Sequence, residues 1–133
     1  MLSTLVGLLM TLGLGGNAEV VYAQEPVEIE RKVVLIEVQA SLLPELKKIC
    51  ACESGDGTIG SERQFNSDGT VLQGRVDKDD TGMCQINLRY HGESAEKMGL
   101  DVRTEQGNIK YANHLYETQG SKPWSASQKC WNK

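Results

Sequence analysis

The chain has 133 residues, 39% of them hydrophobic and 24% charged, and its formal net charge is −4 at pH 7. This length and composition are typical of one globular domain that can bury a core without help from metals or crosslinks. The acidic excess excludes a broad basic face, so we do not expect nucleic acid as a partner.

The first residues indicate an export signal. Residues 5–14 are an uncharged apolar run too short to cross a bilayer comfortably, and small residues lead from it towards Gln24. We therefore predict a signal peptide over residues 1–23, cut after Ala23 or, as a second choice, after Ala18. No Lys or Arg precedes the apolar run, so an uncleaved anchor or a wrongly assigned start codon stays open. A cleaved chain would be secreted or periplasmic, and free of the membrane.

Residues 24–39 are predicted to form an N-terminal arm. Val27 and Ile29 alternate with polar residues, and residues 33–36 are a short apolar run. This pattern is typical of an extended arm, an edge strand or an early helix. The arm contains no candidate chemistry, so residues 40–133 are assigned as the functional domain.

A helix is predicted from about Ser41 to Ser54, because apolar residues recur at helical spacing and Gly55 can end the helix in a left-handed conformation. Glu53 lies at the end of this helix, beside a cysteine and before a glycine-rich loop. A carboxyl group packed against the core would stay protonated near neutral pH, because burial disfavours its charged form, and would be suited to general acid catalysis. Most glutamates at helix ends are solvated instead, so further evidence is needed for this role.

The middle of the chain is predicted to contain a small β-wing. Residues 64–73 have the pattern of a hairpin. Residues 81–87 are predicted to return beneath it as a short buried strand, so that Gln85 and Asn87 share one face while Ile86 enters the core. The aspartates nearby lack the spacing of a calcium loop, and we expect no metal.

The rest of the chain is predicted to be mainly helical. Residues 94–98 form a short helix ended by Gly99, and residues 105–119 form a longer one with Thr104 as N-cap and Gly120 as C-cap. The tail that follows is predicted to be irregular. The predicted fold class is therefore α+β, mainly α, with one small β-hairpin wing.

Four cysteines in an exported chain suggest two disulfides. Cys50 and Cys52 lie two apart on one helix and point in different directions, so each is expected to pair with Cys84 or Cys130 rather than with the other. A four-cysteine zinc site is the alternative, but the spacing lacks the paired C-x-x-C of a zinc ribbon. No cofactor is expected.

Short motifs across residues 40–131 occur in a specific order and spacing. E-S-G at 53–55 and G-M-C-Q-I at 82–86 resemble the E-S-G and G-L-M-Q-I motifs of lytic transglycosylases. N-I at 108–109, which opens a predicted helix, is similar to the start of their N-I-x-x-G-x-x-Y-L segment. Each motif alone is weak, and their succession is what is specific.

Two related groups share further motifs with this chain. C-E-S-G at 52–55, with a late Q-G followed by Trp124 and Cys130, resembles the two ends of resuscitation-promoting factors. N-S-D-G at 66–69 and D-T-G-M-C-Q-I-N-L-R-Y at 80–90 are similar to the N-T-D-G and D-Y-G-I-L-Q-I-N-S-R-W stretches of animal-type lysozymes. The resemblance is thus to the superfamily of lysozymes and soluble lytic transglycosylases.

Members of this superfamily cleave the β-1,4 bond between N-acetylmuramic acid and N-acetylglucosamine in peptidoglycan. The resemblance implies a lysozyme-like fold over residues 40–133 and peptidoglycan glycan strands as the partner, and we expect a monomer. The A-Y-N-A-G motif of many transglycosylases is missing, and residues 123–126 occupy its place. No residue is therefore assigned to the tyrosine that hydrogen-bonds the catalytic acid in that branch.

The resemblance also implies residue roles. Glu53 matches the general acid that protonates the leaving oxygen, and Asp80 matches a second carboxylate, with Asp77 and Asp79 as alternatives. The candidate substrate-binding residues are Gln85, Asn87, Tyr90, Tyr111 and Trp124. Tyr111 and Trp124 are expected in the core as readily as in the cleft. Gln85 is as well suited to a structural hydrogen bond as to sugar binding.

By resemblance to resuscitation-promoting factors, Cys52 is expected to pair with Cys130. That pairing leaves Cys50 to pair with Cys84, or leaves both as buried thiols. The two options stay open, because the distance between these two positions does not follow from the sequence.

Three functions agree with these residues. The first is a muramidase that hydrolyses peptidoglycan if Asp80 takes part, and the second is a lytic transglycosylase that forms anhydro-sugars if Glu53 acts alone. The third is a non-catalytic peptidoglycan-binding module. A structural protein of the envelope is disfavoured by the polar residues expected around Glu53. His91 and His114 have no serine or cysteine nucleophile in their sequence context, and are expected at the surface.

Overall fold

The computed structural model describes residues 38–133, so the predicted signal peptide and residues 24–37 of the predicted arm lie outside the described residues. The elements in chain order are helix α1 (Pro44–Ser54), strand β1 (Asp80–Thr81), strand β2 (Ile86–Asn87), helix α2 (Leu88–Lys97), helix α3 (Glu105–Gln119), a 3-10 helix (Lys122–Ser127) and helix α4 (Gln128–Trp131). This part of the chain is mainly helical with one small antiparallel sheet, which confirms the fold class at that level. No helix within residues 38–133 is long and apolar enough to cross a membrane.

Helix α1 starts later than predicted. It begins at Pro44 rather than near Ser41, because a proline in the first turn presets a helical φ and its missing N–H would have had no helical acceptor. The helix ends where predicted, but Gly55 is extended (φ −114°, ψ −151°) rather than left-handed. Glycine is required there for space, since a Cβ atom would lie 2.2 Å from Ser61 Oγ.

The predicted hairpin is present. Its tip is closed by the Gly69 N–H, which donates to the Asn66 carbonyl oxygen at 3.0 Å. The hairpin is joined to itself and to β1 by two antiparallel bridges, Phe65 with Val71 and Gln73 with Thr81. It is therefore a loosely paired wing attached to the edge of the small sheet.

Residues 81–87 do not form the single strand that their alternating pattern predicted. Strands β1 and β2 pair with each other instead. The antiparallel register matches Asp80 with Asn87 and Thr81 with Ile86. A turn over residues 82–85 reverses the chain between them, with Gly82 at φ 72° and Gln85 at φ 48°, both in the left-handed region.

Helix α2 begins at Leu88 rather than at residue 94 as predicted. Asn87 explains the earlier start, because its side-chain oxygen accepts hydrogen bonds from the N–H groups of Arg89 and Tyr90. An asparagine in this position is an effective N-cap, since it satisfies donors that lack helical partners. Asn87, which was predicted to face the cleft from a strand, therefore lies in β2 and also caps the helix that follows.

Helix α3 has the predicted bounds and the predicted caps. Thr104 Oγ1 accepts a hydrogen bond from the Gly107 N–H at 3.0 Å, and Gly120 follows the helix with a φ of 64°. The tail is not irregular, as predicted, but continues as the 3-10 helix and α4. Pro123 lies in the first turn of the 3-10 helix, where its fixed φ is tolerated.

The hydrophobic core is shared by α1, the region around the sheet, α3 and the tail. Its largest fully buried apolar side chains are Leu46, Ile86, Val102 and Tyr111. Around them pack the other buried residues, which include Ile49, Met83, Ile109, Leu115 and Trp124. The end of α1 and the turn after β1 are therefore both fixed against one core.

Two disulfides cross-link this core, as the cysteine count predicted. Cys52 pairs with Cys130, the pairing that the resemblance implied, and Cys50 pairs with Cys84, the first of its two options. One bond ties α1 to the turn between the strands, and the other ties α4 to α1. All four cysteines are consumed, so the alternative of a four-cysteine zinc site is excluded.

Candidate active site

An open cleft lies beside the end of α1. It consists of two cavities of about 280 and 410 Å³, which share Glu53, Asp80 and Gln85 as lining residues. We call the first the tyrosine cavity; its other lining residues include Ile86, Asn87, Tyr90, His91, Leu115, Pro123, Trp124 and Ala126. We call the second the arginine cavity; its other lining residues include Ser54, Gly55, Arg63, Leu72, Gln73, Gly74, Arg75 and Val76.

Glu53 lies at the junction of the two cavities, half-buried at the end of α1. Burial raises the pKa of this carboxyl group, because its charged form loses hydration. A hydrogen bond from Ser127 opposes the shift, and the nearby charge of Asp80 raises the pKa further. Burial and the neighbouring charge therefore shift the pKa of Glu53 in the direction that the sequence analysis expected.

Ser127 is the direct hydrogen-bonding partner of Glu53. Its Oγ lies 2.5 Å from Glu53 Oε1, and also 3.1 Å from the carbonyl oxygen of Trp124. The indole N–H of Trp131 donates to the same Oγ at 3.0 Å. Since a hydroxyl group has one proton, Ser127 can donate it to the Glu53 carboxylate or, when Glu53 is protonated, accept from Glu53 and donate to Trp124.

Ser127 was missed in the sequence analysis. It lies in the tail that was predicted to be irregular, 74 positions from Glu53. One signal was available, since Cys130 was expected to pair with Cys52, the residue before Glu53. A disulfide between those positions brings the residues one turn before Cys130 close to the carboxyl group.

Asp80 is the member of the three candidate aspartates that lines the cleft. It ends the wing at β1, and its Oδ1 accepts a hydrogen bond from Asn87 Nδ2 at 2.8 Å. Asp77 and Asp79 contact Arg89 instead, at 3.5 and 2.6 Å. The assignment of Asp80 ahead of its two neighbours is therefore supported by position.

Asn87 positions this carboxylate and is not free to bind sugar as predicted. Its Oδ1 caps α2, and its Nδ2 bridges Asp80 Oδ1 and Asp77 Oδ2, the latter at 3.1 Å. Both ends of the amide are therefore engaged. The residue lines the tyrosine cavity but acts through Asp80.

Gln85 lines both cavities, although it is not on the predicted strand. Its Nε2 donates to the carbonyl oxygen of Gly82 at 2.8 Å, across the turn that it ends. The amide thus helps to hold the turn. This matches the structural hydrogen bond weighed against sugar binding in the sequence analysis.

Two buried amides hold the turn beside Glu53. Asn108 Oδ1 accepts from the Cys84 N–H at 3.0 Å, and Gln64 Oε1 accepts from the Met83 N–H at 2.9 Å. A Cβ atom at Gly82 would lie 2.4 to 2.5 Å from these two amides, so glycine is required there. Within residues 38–133, no buried side-chain polar atom lacks a hydrogen-bond partner, so these two amides fix the turn.

The aromatic candidates divide between cleft and core. Tyr90 is 73% exposed and lines the tyrosine cavity, where a ring can stack on a sugar. Trp124 is 3% exposed and forms the floor of that cavity, with its indole N–H donating to the Cys84 carbonyl oxygen at 2.8 Å. Tyr111 is 1% exposed and belongs to the core, so its assignment to substrate binding is corrected.

His91 is a cleft residue that the sequence analysis did not assign to the site. It lines the tyrosine cavity, its Nδ1 lies 3.4 Å from the Tyr111 hydroxyl, and burial lowers its pKa. His91, which was predicted to lie at the surface, is half-buried and lines the open cleft. His114 is also half-buried, with its ring centroid 5.8 Å from that of Tyr111.

Comparison of the chain with protein-family models, with curated proteins and with solved structures found no match. The resemblance to lysozymes and lytic transglycosylases therefore consists of short motifs at matching spacing, and no family is assigned.

Proposed function

We propose that the protein is an exported muramidase with a lysozyme-like fold, which cleaves the β-1,4 bond between N-acetylmuramic acid and N-acetylglucosamine in peptidoglycan. One observation carries the proposal. A carboxyl group whose pKa is raised by burial lies at the centre of an open cleft, with a second carboxylate lining the same cleft. These groups belong to Glu53 and Asp80, the two residues that match the catalytic motifs.

Glycoside cleavage needs a proton delivered to the leaving oxygen while positive charge develops on the sugar ring. Glu53 supplies the proton, because its raised pKa keeps part of it protonated at a pH where an ordinary glutamate is ionised. Asp80 supplies the negative charge, because it is held towards the cleft by Asn87. The pair divides the work as two carboxylates in different environments do in lysozymes.

The rest of the cleft is suited to a polysaccharide. Tyr90 offers an exposed ring, while Trp124 and Leu115 give an apolar floor between polar groups. Such alternation of apolar and polar surface is typical of sugar sites, since sugar rings have apolar faces and hydroxyl edges. Peptidoglycan glycan strands are the proposed partner, and the protein acts as a monomer.

Export agrees with the two disulfides, which form and persist in oxidising compartments. We therefore propose that the protein is secreted or works in the periplasm or cell envelope. The substrate lies in the same place, outside the cytoplasmic membrane.

A second candidate is a lytic transglycosylase, and the Ser127 contact favours it. That reaction needs one residue to act first as an acid and then as a base, while the 6-hydroxyl of the substrate attacks. Ser127 has a partner arrangement for either protonation state of Glu53, as described above. Glu53 can thus lose and regain a proton without moving.

Digestion of purified sacculi tests the proposal, with the released muropeptides identified by mass spectrometry. Products with reducing ends indicate hydrolysis, whereas 1,6-anhydro ends indicate the transglycosylase reaction. The matched control is Glu53→Gln, which keeps the shape of the side chain but cannot donate the proton. No release above that control would reject an enzyme, and co-sedimentation with sacculi would then identify a non-catalytic binding module.

A further inference from the structure

The two cavities of the cleft differ in charge. The arginine cavity contains two cationic side chains, Arg63 and Arg75, in addition to the shared acids. The tyrosine cavity contains no arginine or lysine among its described lining residues. In a chain with a formal net charge of −4, these two arginines place positive charge directly beside the two proposed catalytic acids.

These two arginines also differ from the others in residues 38–133. Arg89 lies 2.6 Å from an Asp79 oxygen, and Arg103 lies 3.6 Å from an Asp101 oxygen. Within the part of the chain that the structure describes, neither Arg63 nor Arg75 has a carboxylate oxygen within 4.0 Å. Their charge is therefore available to a ligand that enters the cleft.

Arg63 is anchored next to the proposed acid. Its backbone N–H donates to Ser54 Oγ at 2.9 Å, and its Nε donates to the Ser54 carbonyl oxygen at 3.3 Å. Ser54 follows Glu53 and is buried. The base of the guanidinium is thus fixed, while its two terminal nitrogens remain for another acceptor.

Arg75 is anchored next to the second carboxylate. The Gly74 N–H donates to the Asp80 carbonyl oxygen at 2.8 Å, and a Cβ atom at Gly74 would lie 2.2 Å from the Asp77 carbonyl oxygen. The backbone before Arg75 is therefore packed closely against β1. Its exposed side chain extends from a fixed point on the wall of the cavity.

We propose that the arginine cavity binds carboxylate groups carried by the substituent on the 3-oxygen of N-acetylmuramic acid. This proposal rests on the proposed function and names the feature of the substrate that is recognised. A guanidinium group matches a carboxylate in shape and charge. The cleft then selects acidic glycan strands over neutral strands of N-acetylglucosamine.

Two sources supply such carboxylates. In strands that retain their peptides, the carboxylates are on the peptide, because the lactyl carboxyl is joined to it in an amide bond. In strands stripped of peptide, the lactyl carboxylate itself is free. Both place negative charge on the same ring, and the test separates them.

The test measures equilibrium binding in the Glu53→Gln background, where no cleavage intervenes. The variant is Arg63→Gln with Arg75→Gln, and the matched control is Arg103→Gln, which removes one exposed arginine away from the cleft. The ligands are soluble peptide-bearing glycan strands, the same strands after amidase treatment, and chitohexaose, which carries no carboxylate. Circular dichroism checks that all variants are folded.

The double variant is expected to weaken binding of the carboxylate-bearing strands roughly tenfold, on the scale of two partly exposed ion pairs. The loss should shrink at high salt, because exposed charges are screened. The affinities of the double variant and its parent for chitohexaose should agree within about twofold, because this ligand has no carboxylate to form an ion pair. Arg103→Gln should change none of the three affinities by more than that.

A loss with peptide-bearing strands alone assigns the carboxylates to the peptide, and a loss with stripped strands as well assigns a contact to the lactyl group. An equal loss with all three ligands, or no loss with any strand, overturns the inference. Sacculus digestion by the unsubstituted protein is run in parallel. If muropeptides are released but the double variant and its parent bind the strands equally well, only the inference about the arginine cavity is rejected. If no muropeptides are released, the proposed enzymatic function is rejected, whatever the affinities are.

Discussion

Ser127 Oγ donates a hydrogen bond to Glu53 Oε1 across 2.5 Å and 74 positions of sequence. The contact joins the C-terminal tail to the end of α1, at the carboxyl group proposed as the acid. The tyrosine that serves the acid in many transglycosylases has no counterpart in the motifs of this chain. We propose that Ser127, from a different part of the tail, fills the same chemical need.

Ser127→Ala is predicted to reduce cleavage about tenfold and to move the basic limb of the pH profile to higher pH. The hydrogen bond from Ser127 lowers the pKa of Glu53 against the effect of burial, so its loss raises that pKa further. An acid with a higher pKa stays protonated to higher pH, but it is less well oriented. The loss is at the lower end of what a positioned catalytic group contributes.

The pH dependence of kcat/KM measures this effect, with Ser125→Ala as the control in the same 3-10 helix. Ser125 is exposed and is not among the lining residues of the cleft. An unchanged basic limb in Ser127→Ala would show that the serine has no influence on the acid.

Glu53→Gln is predicted to lower cleavage of sacculi by at least two to four orders of magnitude, the range for loss of a general acid. The amide keeps the volume of the side chain, so the fold and strand binding should be retained. Muropeptide release is the measurement, and Glu45→Gln on the exposed face of α1 is the matched control. Substantial residual cleavage would assign the acid to another residue.

The same substitution is predicted to stabilise the protein at neutral pH. A raised pKa means that folded Glu53 binds a proton more tightly than the unfolded chain does. The free energy of unfolding of the wild type therefore falls as the pH rises from the ordinary glutamate pKa of 4.5 through the raised pKa of folded Glu53. Above the raised pKa the folded protein keeps this loss of stability, because it holds a buried charge. Gln carries no charge and loses no stability in this way. The difference in free energy of unfolding between Glu53→Gln and the wild type should therefore be largest at pH 7 and should shrink below about pH 4.

Urea unfolding at a series of pH values measures this difference. Glu45→Gln again serves as the control for removing one carboxylate from α1. A Glu53→Gln protein that is less stable than wild type at pH 7, and equally so at pH 4, would contradict a buried and destabilised charge.

The partly buried position of Glu53 could be predicted because its causes are local. A helix with apolar spacing that ends at Ser54 turns the residue before it towards the core, and the motif around it matches a catalytic acid. Helix α3 was predicted for the same reason, since Thr104 and Gly120 are caps that act within one turn.

The features that were not predicted depend on contacts between distant residues. The turn that ends at the left-handed Gln85 is held by the buried amides of Gln64 and Asn108. Both residues are distant in sequence, so the local sequence pattern does not reveal the turn. His91 lines the cleft and Tyr111 is buried in the core, because the packing of α2 and α3 decides which aromatic ring is exposed. Periodicity assigns a buried face to a helix but does not show which neighbour covers it.

Removal of the Cys52–Cys130 disulfide by double substitution to serine is predicted to destabilise the protein by about 2 to 5 kcal/mol, with the chain-entropy estimate near 4.5 kcal/mol. The bond spans a sequence separation of 78, so it strongly reduces the conformational entropy of the unfolded chain. It also holds α4 against α1, and Ser127 lies within one turn of Cys130. Cleavage should therefore fall more steeply with temperature than in the wild type.

Thermal unfolding and cleavage rates at increasing temperature measure both effects. The comparison variant lacks Cys50–Cys84, whose sequence separation is 34. Its chain-entropy cost is similar, but it joins α1 to the turn after β1 and has no covalent link to the tail. Equal temperature dependence of cleavage in the two variants would argue against a link between the tail disulfide and the Glu53–Ser127 contact.

Asp80→Asn is predicted to distinguish hydrolysis from anhydro-sugar formation. If the carboxylate stabilises charge on the sugar, its loss should lower cleavage by two or more orders of magnitude, and the remaining products should still carry reducing ends. Asp79→Asn is the matched control, because Asp79 contacts Arg89, does not line the cleft and does not contact the Asn87 side chain that holds Asp80. Its effect should stay within a few-fold, a limit set by the small contribution of exposed ion pairs.

The opposite result for Asp80→Asn is equally informative. Near-normal cleavage with 1,6-anhydro products would mean that Glu53 acts alone as acid and then as base, in the arrangement that Ser127 supports. Asn87 then has only a structural role, since the amide that holds Asp80 also caps α2. Asn87→Asp separates these roles, because a carboxylate still caps the helix but repels Asp80. A loss of cleavage without loss of stability in that variant would show that the position of Asp80 matters to the reaction.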